Sequence, residues 1–261
     1  MAQLRKVFGT RYGHVHLRLS EGQGPPLVLL HGAARSSRLW ERLQARIGRA
    51  TIAVDRLGFG FSDAPPWALT MEEFARCTLD ALDAGGVGES FDVLGVHSGS
   101  LEAVEIAHLA APRVRKLVLA GVPLFDAAER ARALARLAEQ GIRPAEDGSH
   151  LLAAWRAQFA YRQPPYDLMD AQDRLLDFLL APNPGADYRA VCGYDAERRI
   201  RQLKVPMCVL AIHDDLLEQT ARITPLIKEG DSYVDLPGQS VDAFSEGLDV
   251  MIDLLNQHLP R

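Results

Sequence analysis

Six short apolar runs, bounded by glycine, proline or aspartate and separated by segments with helical periodicity, constrain this chain more than any other feature. They are Pro26–Leu30, Thr51–Val54, Phe91–Gly95, Lys116–Ala120, Met207–Ala211 and Ser232–Leu236. Apolar side chains at successive rather than alternate positions fit strands buried on both faces, the setting of a parallel sheet. Between them Arg38–Arg49, Met71–Ala84, Leu101–Ala110 and Leu248–His258 repeat apolar residues every three or four positions, as amphipathic helices do. Strand–helix–strand alternation of this kind predicts a doubly wound α/β sheet with helices on both sides. In such sheets ligands gather at the carboxyl ends of the strands.

One stretch departs from the alternation. From about Pro123 to Arg201 the pattern is helical, with helices expected over Asp126–Glu139, Leu151–Tyr161 and Leu168–Leu180, and with Pro164-Pro165 and Pro182–Gly185 as punctuation. We read residues 123–201 as a helical cap inserted over the strand ends of a core formed by 1–122 and 202–261. A chain of 261 residues with 48% hydrophobic content can bury such a core without disulfide or metal staples. The 29 basic and 34 acidic residues give a net charge of −5, which argues against nucleic-acid or anionic-membrane binding. Cys77, Cys192 and Cys208 are odd in number and not at metal-ligand spacing, so free thiols in a reducing compartment are expected. The first residues hold no apolar stretch of the signal-peptide kind, no run is long enough to span a membrane, and the cytoplasm is the expected location.

The turns carry the specific signals. His31-Gly32 follows the first run. Asp55-Arg56-Leu57-Gly58-Phe59-Gly60-Phe61-Ser62 follows the second, and Gly95-Val96-His97-Ser98-Gly99 the third. Val209–Leu217 holds an aspartate pair after the fifth run, and Leu236-Pro237-Gly238 follows the sixth. In order and spacing these resemble the α/β-hydrolase superfamily over nearly the whole chain. The resemblance implies a mostly parallel sheet with an inserted cap, an oxyanion loop at His31-Gly32, and a nucleophile elbow of the form G-x-S-x-G after the third run. It also implies an acid after the fifth run and a histidine after the last.

Two seats depart from that pattern. With Gly95 and Gly99 as the framing glycines, the elbow seat falls on His97 and not on Ser98, and the helix that follows keeps this register without a gap. Ser98 at the apex is the rival register. It would set Val96 where close packing favours a small residue. Histidine tolerates the positive φ of such an apex better than most side chains do. Three residues beyond Gly238, where the family's histidine is implied, the chain has Val241. The acid is assigned to Asp215, with Asp214 as alternative. Without an imidazole on the last loop, a serine hydroxyl has no base to take its proton.

These residues lead to a functional expectation with open alternatives. Amides of Ala33 or Ala34 and of Ser98 would form an oxyanion hole, with His97 as base and Asp215 as orienting carboxylate. Such a site suits enolate-type chemistry of the lyase, decarboxylase, dehydratase or cyclase kind on a small, largely apolar carbonyl compound. The alternatives are an esterase-like serine hydrolase using Ser98, with His213 or His97 as base, and a catalytically inactive ligand-binding protein. His31, Trp155, Phe159, Tyr161 and Val241 are the candidates for lining the pocket. His14 and His16 are read as surface or edge residues. No zinc spacing, P-loop or EF-hand is present, and Asp63 stands where a dinucleotide fingerprint would need its third glycine, so no metal or cofactor is expected. A small molecule is the expected partner, and monomer and homodimer both remain open.

Overall fold

A computed structural model describes residues 3–88, 90–136, 144–159, 167–181, 183–245 and 247–259. Eight strands form one sheet. They are β1 (Gln3–Thr10), β2 (Gly13–Ser20), β3 (Gln23–Leu30), β4 (Arg49–Val54), β5 (Phe91–Val96), β6 (Val114–Ala120), β7 (Met207–Ile212) and β8 (Ser232–Leu236), in the order β1-β2-β4-β3-β5-β6-β7-β8. β1 and β2 pair antiparallel and β2 joins β4 antiparallel, while β4-β3-β5-β6-β7-β8 is parallel throughout. All six apolar runs are strands of the parallel part. Their alternate residues feed two cores: Val28 and Leu30 of β3 pack on one side of the sheet and Leu27 and Leu29 on the other.

The helices are α1 (Glu41–Arg46), α2 (Met71–Ala84), α3 (Ser98–Leu109), α4 (Ala127–Arg136), α5 (Ser149–Ala157), α6 (Leu168–Leu180), α7 (Pro184–Gly193), α8 (Ala196–Arg201), α9 (Leu217–Ala221) and α10 (Leu248–His258). α2 and α10 run over the residues their periodicity predicts. The helix expected over Arg38–Arg49 is instead a 3₁₀ turn at Ser37–Trp40 followed by α1. It stops at Gly48, whose φ is +72°, and Arg49 opens β4 with its guanidinium 2.6 Å from the buried Asp92. α3 starts three residues earlier than expected, directly from the turn at His97. Between β6 and β7 the described residues hold five helices, where three were expected. α7 and α8 fall in the stretch that proline punctuation left unassigned, with Pro184 at the first position of α7. Residues 137–139 of the first expected cap helix, and 160 and 161 of the second, lie outside the described residues. No helix among the described residues is long and apolar enough to cross a membrane.

His16 corrects an expectation. β2 lies between β1 and β4 and is not an edge, so His16 is buried, and its Nδ1–H donates to Asp55 at 2.9 Å. Asp55 also accepts from the backbone N–H groups of Ser37 and Phe61. Burial pushes its pKa up, but these three hydrogen bonds outweigh that and hold it below the ordinary carboxylate range.

Candidate active site

The site lies at the carboxyl ends of β3, β5, β6 and β7. The glycines on either side of the elbow explain why the turn can be so sharp. A Cβ on Gly95 would stand 2.2 Å from the Gly99 carbonyl oxygen, and one on Gly99 2.4 Å from that of Leu30. His97 sits at the apex with φ 52° and ψ −122°, and α3 begins at the next residue. Among the described residues, the two non-glycine residues with positive φ are His97 and Ala34 (56°), and both line one cavity of 220 Å³. Strain of this kind costs on the order of 1–3 kcal/mol per residue and collects at functional sites. Gly32, Ala33, Arg35, Leu39, Val96, Gln158, Arg174, Phe178 and Val241 complete the wall.

The imidazole of His97 reaches the acid directly. Its Nε2 is 2.7 Å from Oδ2 of Asp214, with both side chains part-buried. Since an ionised carboxylate only accepts, Nε2 is the donor of this bond; in the neutral imidazole that leaves the lone pair on Nδ1. Nδ1 makes no hydrogen bond to the described residues. The ring has room because of the end of β6: a Cβ on Gly121, itself at φ +58°, would fall 2.5 Å from His97 Cδ2. One imidazole thus spans the distance from the elbow to the acid loop, a path that a triad bridges with serine and histidine together.

The acid in contact is Asp214 and not the Asp215 assigned from spacing. Asp215 is exposed at the same turn, and Asp214 also accepts from the Leu216 N–H at 3.0 Å, which fixes its direction. One oxygen of Asp215 still lies near, because ligand atoms of His97, Asp214 and Asp215 are all within 4.8 Å of one another. This nitrogen–oxygen–oxygen set is of a kind that could hold a divalent cation.

Ser98 is turned away from this cluster. Its Oγ accepts from Arg56 Nη1 at 3.0 Å, inside a buried network in which Arg56 pairs with Glu102 and, at 2.7 Å, with Asp187 of α7. Thr78 donates to Glu102 at 2.6 Å. The Ser98 N–H is the first of α3 and has no carbonyl partner within the helix, as an oxyanion donor requires. Val241 borders the cavity at the seat where relatives are expected to carry histidine. His213 donates from Nε2 to the exposed Asp235 at 2.8 Å, and His258 contacts Ser232 at 3.3 Å, so neither ring is engaged with Ser98.

The other pocket residues divide. His31 is wholly buried and does not line the cavity: its Nδ1–H donates to the Gly32 carbonyl and its Nε2 accepts from the Arg56 N–H. Burial pushes its pKa down to about 4. Trp155 and Phe159 are half-buried, pack edge to face with ring centres 5.1 Å apart and do not line the cavity, while Gln158 between them does. Tyr161 lies outside the described residues. Arg35 and Arg174 are wall residues that sequence reasoning did not single out. Acids on α6 recur at Asp170, Asp173 and Asp177, where Asp170 meets Arg35 and Arg174, Asp173 meets Arg38 and Asp177 meets Arg35; the stripe is visible in the sequence, but it does not name the arginines it meets.

Residues 25–178 match the family model described as alpha/beta hydrolase fold. A hydrolase from Pseudomonas aeruginosa PA01 is 20% identical, covers 98% of each chain and superposes with a TM-score of 0.80. An enol-lactonase from Burkholderia xenovorans LB400 is 18% identical over 98% of this chain and 100% of its own, with a TM-score of 0.79. A haloalkane dehalogenase from Agrobacterium fabrum is 39% identical over 75 residues, 26% of this chain and 24% of its own length. The chain spans between 24% and 36% of the length of the curated relatives it matches. With the family model covering more than half of its residues, the chain belongs to the alpha/beta hydrolase fold family.

Proposed function

We propose that this protein is an enzyme that removes and returns a proton next to the carbonyl group of a small, largely apolar compound, with His97 as general base. The observation that carries the reading is the His97–Asp214 pair at a strained apex beside the cavity, together with Val241 in place of a triad histidine. Nδ1 of His97 takes a proton from the carbon adjacent to the carbonyl. The electron pair moves onto the carbonyl oxygen, which accepts hydrogen bonds from the amides of Ala33 or Ala34 and of Ser98. Asp214 stabilises the imidazolium so formed. Loss of a group from the neighbouring carbon then gives lyase- or dehydratase-type outcomes, and attack of the enolate carbon on an electrophilic carbon of the same molecule a cyclase-type one; in a decarboxylase-type cycle the electron pair comes from the bond to the departing CO2 and the imidazolium supplies the proton to carbon. General-base steps of this kind contribute about 10²–10⁴-fold. The three buried free thiols suit a reducing compartment, and we place the protein in the cytoplasm.

A second reading is favoured by the structural neighbours, a hydrolase and an enol-lactonase. In it His97 draws a proton from water, and the water attacks an ester or lactone with no covalent enzyme intermediate. Methyl levulinate, which holds both a ketone and an ester, separates the two. The first reading predicts enzyme-accelerated uptake of solvent deuterium beside the ketone, seen by proton NMR, with no methanol released. Methanol without deuterium uptake would replace the first reading by the second. Stoichiometric labelling of Ser98 by a fluorophosphonate would overturn both.

A further inference from the structure

Besides the His97 imidazole, the described wall of the cavity carries two guanidiniums. Arg35 comes from the loop after β3 and Arg174 from α6, and among the described lining residues there is no aspartate or glutamate. The carboxylates that balance them stand outside the wall. Arg174 holds Asp170 and Asp242 through Nη1, at 3.0 Å each. Arg35 approaches Asp177 at 3.4 Å and Asp170 at 3.7 Å, the latter too long for a hydrogen bond. Asp177 is also gripped by the Ser36 hydroxyl at 2.6 Å.

Arg174 is only 8% exposed, and its Nε and Nη2 are buried without a hydrogen-bond partner. Buried donors left unpaired cost free energy, and a charged donor costs more than a neutral one. Nε and Nη2 form one edge of the guanidinium, the edge that meets a carboxylate with two parallel hydrogen bonds. With Nη1 anchored by two acids, Nε and Nη2 are the donors of this wall residue left for an incoming oxyanion. Arg35, across the same wall, supplies a second positive charge, and the Gln158 side chain lies beside them.

We propose that the compound processed at His97 is an oxo acid, whose carboxylate is held by Arg174 with Arg35 and takes no part in the reaction. The assignment rests on the carbonyl reading above and narrows its substrate class. Leu39, Val96, Phe178 and Val241 take the apolar body between the carboxylate and the carbonyl. The acids behind the two arginines keep the empty wall near neutral and its guanidiniums in place.

The test compares levulinate with methyl levulinate by saturation-transfer NMR titration, which reads binding and needs no turnover. Levulinate should bind about tenfold more tightly than its ester, the worth of roughly one charge-assisted hydrogen bond. Arg35→Gln should shrink that ratio, and Arg174→Gln should bring it to about one. Because Arg174→Gln strands two carboxylates, the double variant Arg174→Gln/Asp242→Asn is measured beside it. Equal binding of acid and ester, no saturable binding of levulinate, or a ratio that survives in both Arg174 variants would overturn the assignment. If levulinate binding depends on Arg174 and yet no deuterium enters the ketone, the carbonyl reading falls, and with it the oxo group of the substrate, while the carboxylate subsite at Arg174 stands.

Discussion

The molecule holds two histidine–aspartate pairs of nearly equal length that do different work. His16 and Asp55, 2.9 Å apart, are closed off from solvent, with three hydrogen bonds converging on the carboxylate and ordinary backbone on both sides. His97 and Asp214, 2.7 Å apart, border a cavity, and the histidine stands on a strained turn with its second ring nitrogen unengaged. The first pair ties β2 to the turn after β4. The second leaves a lone pair where a ligand can meet it. Residue types and distance alone therefore do not mark a site; exposure to a cavity and backbone strain do.

Three substitutions sharpen this contrast. Asp214→Asn should lower deuterium uptake into methyl levulinate by about 10²-fold, because the amide can hold the wrong tautomer and cannot stabilise the imidazolium. Asp215→Asn, at the exposed neighbour, should change it by less than about twofold. The reverse order would return the acid role to Asp215. His16→Ala should instead cost stability, about 3 kcal/mol by denaturant titration, the worth of a buried hydrogen bond to a charged group plus the lost ring packing, while Asp55 keeps its two backbone donors. Its deuterium uptake per folded molecule should be unchanged. A loss there would mean that the two pairs are coupled.

A more gradual effect comes from His31, which is buried and does not line the cavity. Burial holds its pKa at about 4, against an ordinary histidine value near 6.5. Between those values the unfolded chain takes up a proton that the folded chain refuses, so stability rises with pH across this window and is lost on acidification. The loss should be on the order of 3 kcal/mol between pH 6.5 and 4, at 1.36 kcal/mol per pH unit. It should continue below pH 4 as Asp55, held low by its hydrogen bonds, takes up its proton. A His31→Gln variant should show a flatter Tm-against-pH curve over the upper window. An unchanged slope would assign the acid sensitivity to other groups.

How much of this could be read beforehand differs by region, for physical reasons. The parallel strands were legible because residues such as Leu27–Leu30 are apolar on both faces and need no partner to explain them. The elbow was legible because Gly95 and Gly99 are demanded by backbone contact, which ties sequence spacing to geometry. β2 was harder, since its buried His16 and Arg18 look like surface residues until Asp55 and Glu41 are brought to them by pairing in the sheet and beyond it. The choice between Asp214 and Asp215 turned on which side chain a loop residue aims inward, and adjacent positions give no periodic signal for that. Arg35 meets Asp177 across 142 positions of sequence, so the contact of α6 with the loop after β3 could not be seen from either side alone.

The central claim is that the imidazole at the elbow, and not the neighbouring hydroxyl, carries the chemistry. The most direct measurement is the rate of deuterium uptake into methyl levulinate by two single variants at equal folded concentration. His97→Ala should fall by about 10²–10⁴-fold, and Ser98→Ala should stay within a few-fold of the unaltered protein. Full uptake by His97→Ala together with its collapse in Ser98→Ala would contradict the claim.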